Sequence, residues 1–275
     1  MKITRKTVFT FLTISAVLVV ACLWARWRPA QRFEFNGRDN ETLRMVTWNV
    51  GYFAFVKNKN MRDTDLQEVT SILKKTSPDV IVLQELGDLE QPDYIADKLG
   101  PEWNVYSCKT GHGSQVVAIL TKLTVLKEEQ IECGGRKTIG LSALDPEGRT
   151  LYILGIHAPH PARGIEENLD SIQCALSYTN SRDEDIAIVA GDFNYNFDVG
   201  NQGEYYSEIL NNFVDSTANI GETYYAHTRI DHMFHKPSNL KVLIEESGII
   251  DLSVRFSNVP GFRDHRPIVV TFSLG

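Results

Sequence analysis

The sequence predicts one α/β domain in which two packed β-sheets are covered by outer helices. Eight segments have strand character, and several of them are unbroken apolar runs, which are typical of strands covered on both faces. Two segments show the spacing of an amphipathic helix. Because a sheet that is apolar on both faces needs a packing partner on each, these observations favour two sheets packed together with helices outside them.

The elements follow from local patterns along the chain. The strand candidates are residues 43–50, 79–86, 114–121, 150–157, 185–193, 230–235, 240–246 and 267–274. A helix is predicted over residues 63–78, where apolar residues from Leu66 to Leu73 recur at helical spacing and Pro78 marks the end. A second helix with the same spacing is predicted over residues 164–180. No linker-like segment interrupts these elements, so residues 43–275 are assigned to a single domain.

Residues 7–25 form an uncharged, apolar segment that follows three basic residues. As a helix rising about 1.5 Å per residue, this segment spans close to the roughly 30 Å hydrocarbon core of a bilayer. Residues 1–28 are therefore interpreted as a signal anchor that forms a transmembrane helix, or as a cleaved signal peptide. Within the segment, Val-Val-Ala-Cys resembles a bacterial lipobox, so a protein lipidated at Cys22 is a third interpretation and a buried helix of the domain a fourth.

Residues 29–42 are polar, contain Pro and Gly, and are interpreted as a linker. The domain beyond it is expected to be extracytoplasmic, either anchored to the membrane or secreted. Residues 1–28 contain five of the 28 basic residues and no acidic one, so the remainder carries 23 Lys and Arg against 35 Asp and Glu, a net charge of −12. Such a surface repels polyanions at long range, which argues against a broad nucleic-acid groove. Acidic residues gathered in one pocket would instead hold a divalent metal.

The positions of the cysteines in the sequence carry little information about pairing or metal binding. Cys22 lies in the apolar segment, which leaves Cys108, Cys133 and Cys174, and three cysteines cannot all pair with one another. The sequence contains no CxxC pattern, so a structural zinc site is not indicated.

Polar residues lie at one end of each of six apolar segments. They are Asn49, Glu85, His157, Asp192 with Asn194, Asp231, and Asp264 with His265. Any one of them has an ordinary explanation as a cap, a turn residue or a hydrogen-bonded histidine. Six such positions in one domain are harder to explain in that way, because an unpaired buried carboxylate costs several kcal/mol unless a partner or a metal compensates it.

These residue types have a common chemistry. Carboxylate and amide oxygens are hard ligands that suit Mg²⁺, Mn²⁺ or Ca²⁺. Histidines beside them contact phosphate oxygens or move protons near neutral pH. Carboxylates, amides and imidazoles around a hard metal indicate metal-assisted attack of water on phosphorus.

Six motifs in this order resemble the endonuclease/exonuclease/phosphatase superfamily, which has the deoxyribonuclease-like fold. They are TWNV, LQE, GIHAPH, AGDFN, RIDHMF and DHRP, and the resemblance extends from about Leu43 to Gly275. It implies a four-layer α/β sandwich, with two packed mixed β-sheets flanked by helices, whose strand ends meet in one metal-holding cleft.

The resemblance also implies roles for individual residues. Glu85 resembles the principal metal ligand, with Asn49 and Asp264 at or beside the same site, and the expected metal is Mg²⁺, with Mn²⁺ or Ca²⁺ as alternatives. Asp192 is expected near the attacking water, as its base or as the ligand of a second metal, and Asn194 is expected to orient water or phosphate.

The histidines and one arginine complete the expected site. His265 resembles the catalytic histidine, which Asp231 holds in place, and His157 resembles the histidine that contacts the phosphate from the opposite side. Arg136 is a candidate phosphate contact. Three further histidines are weaker candidates: His160 is assigned to a loop, His232 to packing, and His112 is a candidate for the mouth of the cleft.

The expected activity is divalent-metal-dependent hydrolysis of phosphodiester bonds by a membrane-anchored or secreted nuclease or phosphodiesterase. One alternative is a sphingomyelinase-like or inositol-phosphatase-like enzyme that acts on lipid or inositol phosphoesters. A non-catalytic binding protein is disfavoured because every core position retains a competent residue type. A monomer is expected, and no protein partner is implied.

Overall fold

The structure is a computed structural model, and it describes residues 31–34, 41–51, 59–111, 113, 115–198, 202–253 and 263–275. The apolar segment at residues 7–25 lies outside these residues, so the predicted anchor or signal helix is not described. Among the helices that are described, none combines the length and the apolar character needed to cross a membrane.

Twelve strands and four α-helices make up the described part of the chain. The strands are β1 (Thr42–Asn49), β2 (Val80–Leu86), β3 (Asn104–Lys109), β4 (Val116–Thr121), β5 (Thr124–Cys133), β6 (Arg136–Leu144), β7 (Thr150–His157), β8 (Ile186–Asp192), β9 (Val214–Asp215), β10 (Asp231–His235), β11 (Val242–Ile249) and β12 (Ile268–Leu274). The helices are α1 (Lys59–Thr76), α2 (Glu90–Leu99), α3 (Ile165–Asn180) and α4 (Gln202–Leu210), with a short 3₁₀ helix at Pro161–Arg163.

The strands form two six-stranded mixed sheets. The first has the order β11-β12-β1-β2-β4-β3 and the second the order β5-β6-β7-β8-β10-β9. The pairs β1–β2 and β7–β8 are parallel and the other neighbours are antiparallel. Strand β1 contacts β8 and β10, and β2 contacts β7 and β8, so the sheets pack face to face.

Helices cover the outer face of each sheet. Leu66 and Leu73 of α1 and Ile95 of α2 pack in a core with residues of β1, β2 and β4. Ile172 of α3 and Ile209 of α4 pack in a second core with residues of β7, β8 and β10. The predicted architecture of two packed mixed sheets with outer helices is therefore confirmed.

All eight predicted strands and both predicted helices exist. The bounds of β7 are as predicted, and those of the other elements differ by at most four residues. The patterns did not predict β3, β5, β6, β9, α2 or α4. Strand β5 is exposed over much of its length and carries Lys127, Glu128 and Glu129, so it lacks the apolar run that marks a covered strand. Helix α2 contains Pro92 in its first turn, where proline is tolerated but hides the helical pattern.

Part of the segment interpreted as a linker contacts the domain. The backbone amide of Phe33 donates to the carbonyl of Ile249 over 2.9 Å, and the amide of Ile249 donates to the carbonyl of Gln31 over 2.9 Å. Gly248 permits this approach, because a Cβ there would lie 2.7 Å from the nitrogen of Phe33. Residues 31–34 thus extend the edge of the first sheet beside β11.

Candidate active site

The polar residues at the strand ends lie at one end of the two sheets. Asn49 and Glu85 lie at or near the ends of the parallel strands β1 and β2. In the second sheet, His157 at the end of β7 is the register partner of Asp192 at the end of β8, and Asp231 at the start of β10 is the antiparallel partner of Asp192. Because the carboxyl ends of parallel strands meet at one edge of a sheet, and the sheets pack face to face, these side chains converge.

Gly51 marks a point around which three side-chain oxygens converge. A Cβ at this glycine would lie 2.8 Å from Asp264 Oδ1 and 3.3 Å from both Asn49 Oδ1 and Glu85 Oε2. The backbone amide of Gly51 donates a hydrogen bond of 2.8 Å to Asn49 Oδ1. Two carboxylates and one amide oxygen around a single point form a hard donor set of the kind that Mg²⁺, Mn²⁺ and Ca²⁺ prefer. The three residues that the sequence assigns to the metal therefore fit it chemically.

The backbone at Glu85 is turned to bring its carboxylate to this point. Glu85 has a φ of +60°, and the pairing of β2 with β4 is shifted between Leu83 and Leu86, which is a bulge-type irregularity. Asn194 has a φ of +50°. Left-handed backbone at residues other than glycine costs on the order of 1–3 kcal/mol and is concentrated at functional sites.

Electrostatics differ between the two carboxylates near Gly51. Burial disfavours the ionised form of Glu85, but hydrogen bonds from His157 and Asn49 and the charge of His265 lower its pKa overall. Burial and the neighbouring charge of Glu85 raise the pKa of Asp264, although His265 opposes this shift. Two partly desolvated carboxylates side by side are an arrangement that a bound cation offsets.

His265 and Asp231 form a buried imidazole–carboxylate pair. The distance between His265 Nδ1 and Asp231 Oδ2 is 2.8 Å, and His265 Nε2 lies 4.0 Å from Asp192 Oδ2. Burial opposes protonation of the ring, but the charges of Asp231, Asp192 and Asp264 raise the pKa of His265 to about 10. His265 is therefore an imidazolium at neutral pH. Trp48 fixes the backbone here, because its Nε1 donates to the carbonyl of His265 over 3.2 Å.

Asp192 lies between the two sheets and accepts three hydrogen bonds. Its Oδ2 accepts from Asn49 Nδ2 over 2.8 Å and from Asn194 Nδ2 over 3.0 Å, and its Oδ1 accepts from the backbone amide of Asn194 over 2.7 Å. Burial raises the pKa of Asp192 to about 6; the charge of Asp231 adds to this shift and His265 opposes it. A carboxyl group that titrates near neutrality is suited to accept a proton during a reaction.

One ligand atom from each of Asp192, Asp231 and His265 lies within 4.8 Å of the others, which makes these residues a second candidate metal set. This set contains one imidazole, whereas the set around Gly51 consists only of the hard oxygens that Mg²⁺, Mn²⁺ and Ca²⁺ prefer. The oxygen set around Gly51 is the better fit.

His157 is held between a cation and two carboxylates. Arg136 Nη1 lies 3.2 Å from His157 Nδ1 and donates to the His157 carbonyl over 3.3 Å. On the other side of the ring, Nε2 lies 3.2 Å from Glu85 Oε1 and 3.8 Å from Asp192 Oδ2. Since a guanidinium only donates, Nδ1 must be an acceptor, and the ring proton is then on Nε2, which faces Glu85.

Two of the three weaker histidine candidates lie among the described residues, and both have local structural roles. The ring of His160 accepts a hydrogen bond of 3.1 Å from the backbone amide of Ala162 and caps the 3₁₀ helix. His232 is fully buried and packs against Phe193 and Phe197, as the sequence predicts. His112 lies outside the described residues.

Tyr224 is a neighbour of the site that the sequence patterns do not reveal. Its ring centroid lies 4.6 Å from that of His265, and the two residues form an isolated β-bridge. Thr223 lies beside it, and its hydroxyl accepts from the backbone amide of Asp231 over 3.2 Å. The only local signal is the run Thr223-Tyr224-Tyr225 ahead of the RIDHMF motif, which shows no strand or helix periodicity.

A family model that matches more than half of the chain decides its family. The model of the Endonuclease/Exonuclease/phosphatase family matches residues 46–256. The chain belongs to this family. Members of the endonuclease/exonuclease/phosphatase family are metal-dependent phosphoesterases, and the predicted membership is confirmed.

Solved structures share the family fold at low sequence identity. TDP2 from D. rerio, in a complex with a single-strand DNA product, superposes with a TM-score of 0.69 at 18% identity, covering 85% of this chain and 99% of that one. Family proteins from Leptotrichia buccalis and Bacteroides vulgatus superpose with TM-scores of 0.65 and 0.62, at 18% and 16% identity. They cover 84% and 85% of this chain and 99% of each of theirs. No curated protein matches the sequence.

Proposed function

We propose that this protein is a divalent-metal-dependent phosphoesterase that hydrolyses phosphodiester bonds by attack of water. The observation that carries the proposal is the position of the oxygen set of Asn49, Glu85 and Asp264 beside the pair of His265 and Asp231 at one end of the sheets. A hard-metal donor set next to a buried imidazolium suits a substrate that carries phosphate charge.

The metal would be held by Asn49, Glu85 and Asp264, and when bound it would polarise a phosphoryl oxygen and favour ionisation of water. His265, held as a cation by Asp231, offsets the negative charge that develops on the phosphoryl oxygens. Asp192 accepts the proton of the attacking water, because its pKa of about 6 leaves it mostly ionised and still basic at neutral pH.

Asn194 and His157 have positioning and binding roles in this proposal. The Nδ2 of Asn194 donates to both Asp192 Oδ2 and the carbonyl of Ala158, over 3.0 Å each, which holds the carboxylate in place beside the water. His157 presents its Nε2–H towards the site and can donate it to a phosphate oxygen. Arg136, which contacts His157, supplies positive charge on the same side.

Hydrolysis of bis-p-nitrophenyl phosphate by the purified full-length chain tests the proposal. Turnover is expected with Mg²⁺ or Mn²⁺ and is expected to stop when EDTA is added. Glu85→Gln should abolish most of it, whereas Glu102→Gln, at an exposed position, serves as the matched control. Absence of turnover with every divalent metal and with a broad phosphoester panel would overturn the proposal and favour a non-catalytic binding protein.

We propose that the substrate is a nucleic acid or another phosphodiester. Nuclease activity is the first candidate. The DNA-bound D. rerio TDP2 supports this choice, because it shares the fold over 85% of the chain. The net charge of −12 beyond residue 28 favours short or single-stranded substrates over long duplexes. Plasmid DNA, RNA, sphingomyelin and inositol phosphates compared at equal metal concentration would decide. Preferred cleavage of sphingomyelin or of an inositol phosphate would contradict the nuclease proposal and favour a sphingomyelinase-like or inositol-phosphatase-like enzyme.

We also propose that the domain is extracytoplasmic, through an anchor, a cleaved signal or a lipid on Cys22. The disulfide between Cys133 and Cys174 supports this location, because disulfides persist in oxidising compartments. Mass spectrometry of the mature N-terminus distinguishes an intact Met1, a cleaved leader and a lipidated cysteine. Resistance of the domain to protease added to intact cells, but not to lysed cells, would contradict an extracytoplasmic location in the anchored form.

A further inference from the structure

The hairpin that joins β5 and β6 carries Arg136 into the site. Cys133 and Arg136 are register partners, separated only by Gly134 and Gly135. The two glycines have φ values of +57° and +71°, as a two-residue type I′ turn requires. Arg136 is thus the first residue after a turn made of two glycines. Glycine has more conformational freedom than any other residue type, so the turn does not fix its own position. Contacts outside the turn must therefore determine where the turn lies.

Two contacts attach this turn to α3. Cys133, directly opposite Arg136, is joined by a disulfide to Cys174 of α3. The backbone of Gly134 lies against Ser171 of the same helix, because a Cβ on this glycine would lie 2.7 Å from Ser171 Cβ. Cys133 and Ser171 are each 2% exposed, whereas Cys174 is half-buried and within reach of a small reductant.

Helix α3 is itself bonded to the loops that follow the catalytic strands. The side-chain amide of Asn168, which is fully buried, donates to the carbonyl of Pro159 over 2.7 Å and to the carbonyl of Phe193 over 2.9 Å. Pro159 comes two residues after His157, and Phe193 follows Asp192. Helix α3 therefore sets the position of the hairpin turn relative to the ends of β7 and β8.

The Arg136 guanidinium needs this placement to reach its partner. It is nearly fully buried, and its Nη1 makes both contacts with His157, at 3.2 Å to Nδ1 and 3.3 Å to the carbonyl. A shift of the turn by about 1 Å would lengthen both contacts beyond hydrogen-bonding distance. His157 would then lose the donor that makes Nδ1 an acceptor.

We propose that the disulfide between Cys133 and Cys174 is a positioning element of the active site. It holds the β5–β6 turn against α3 so that Arg136 donates to His157 Nδ1 and keeps the His157 proton on Nε2. Reduction by a dithiol transfers two electrons and two protons to the disulfide, yields the two thiols and oxidises the dithiol to its own disulfide. The turn is then free to leave α3, and His157 is no longer restricted to one tautomer.

Nitrogen-15 NMR of the histidine side chains in the full-length chain tests this directly, without substrate or metal. In the oxidised protein at pH 7.5, His157 should show protonated Nε2 and unprotonated Nδ1. After dithiol treatment, and in the Cys133→Ser/Cys174→Ser variant, the ring should become a mixture of tautomers, as in Arg136→Gln. Cys108→Ser, which removes the buried free thiol, should retain the wild-type spectrum.

Several results would overturn the proposal. A wild-type His157 protonated on Nδ1, or on both nitrogens, would contradict the donor role of Arg136. An unchanged Nε2–H tautomer in folded, reduced protein would show that the disulfide does not act through Arg136. If the double variant does not fold, the reduced wild-type protein still provides the test. Circular dichroism shows whether that protein remains folded after reduction.

An activity measurement adds a second readout and rests on the proposed function. Reduction should lower kcat/KM for bis-p-nitrophenyl phosphate by about 10-fold in the wild type, as loss of a residue that orients an active-site side chain typically does. In Arg136→Gln the same treatment should change kcat/KM less than about 2-fold, because the residue through which the disulfide acts is gone. Equal losses in both backgrounds would indicate general destabilisation and overturn the proposal. If no protein turns over substrate, the proposed function fails while the NMR result still decides this inference.

Discussion

The side-chain amide of Asn49, at the end of β1 in the first sheet, donates a hydrogen bond of 2.8 Å to Asp192 Oδ2 at the end of β8 in the second sheet. The other atom of the same amide, Oδ1, accepts from Gly51 and faces the oxygens of Glu85 and Asp264. One side chain thus connects the metal-type oxygen set with the carboxylate that we propose as the base. The relative position of the two sheets determines the distance between these two functions.

Replacing Asn49 by Ala should therefore affect both functions. Asp192 would lose one of its two donors to Oδ2, and hydrogen bonds to charged groups contribute about 1.5–3 kcal/mol. We expect kcat/KM for bis-p-nitrophenyl phosphate to fall at least about 10-fold, since each 1.4 kcal/mol is a factor of ten. Asn104→Ala, at an exposed position of β3, is the control and should behave as wild type. Wild-type kinetics in Asn49→Ala would remove the link between the two sheets from the mechanism.

Gly51→Ala should weaken metal binding. The added Cβ would lie 2.8 Å from Asp264 Oδ1 and 3.3 Å from the other two oxygens, so the donor set would have to move. We expect the dissociation constant for Mn²⁺, measured by calorimetry, to rise at least about 10-fold, as for the loss of residues that orient metal ligands.

Gly148→Ala is the matched control for this prediction. Gly148 also has a positive φ, of +81°, but a Cβ there would meet no atom within 4 Å. It therefore introduces the same kind of backbone strain away from the site. Equal Mn²⁺ affinities in the two variants would mean that the point beside Gly51 is not where the metal binds.

His265→Ala should lower kcat at least about 100-fold, because it removes the cation that we place beside the phosphoryl group. Asp231→Asn should lower kcat in the same direction, since it removes the carboxylate that holds His265 protonated. His227→Ala, which removes an exposed histidine paired with Glu222, should retain activity. Steady-state kinetics at saturating metal measure all three. Turnover near the wild-type rate in His265→Ala would be incompatible with the mechanism.

Asp215→Asn should destabilise the fold and flatten its pH dependence in acid. Asp215 is buried and accepts from Arg229 over 2.7 Å and from Tyr206 over 2.6 Å. Although burial opposes ionisation, His232, Arg229 and Thr217 hold the pKa of Asp215 well below its usual range. Removing one partner of a buried ion pair typically costs about 3–5 kcal/mol.

The sign of the pH effect follows from the direction of that shift. A carboxyl group with a lowered pKa in the folded state stabilises the fold fully above its unfolded pKa of about 3.9 and loses this contribution as the pH falls further. In the wild type the free energy of unfolding should therefore decline below about pH 4, and Asp215→Asn should remove that component. Urea unfolding between pH 2 and 7 measures both effects, with the exposed Asp97→Asn as control. The same acid slope in Asp215→Asn and wild type would assign the pH dependence to other groups.

The sequence by itself predicted the parts of this protein that depend on local pattern. Apolar runs predicted the covered strands, and the polar residues at their ends, from Asn49 to His265, are residues that the structure brings together. Burying a carboxylate or an imidazole costs free energy, so these groups are uncommon in apolar runs. Where one follows such a run, it indicates a specific role. The exposed, charged β5 and the short α2 and α4 have no such contrast, so patterns alone did not predict them.

Only the tertiary structure decided how these residues are paired. The sequence indicates Arg136 as a candidate phosphate contact, whereas in the structure its guanidinium contacts His157; a direct phosphate contact remains a prediction. Spacing could not select a pair among three cysteines, because the approach of Cys133 to Cys174 depends on how α3 packs against the second sheet. Likewise, the distance from Asn49 to Asp192 results from the packing of two sheets whose strands are far apart in the chain. The sequence shows directly which residue types end each strand, but the packing of segments that are far apart in the chain determines the distances between those residues.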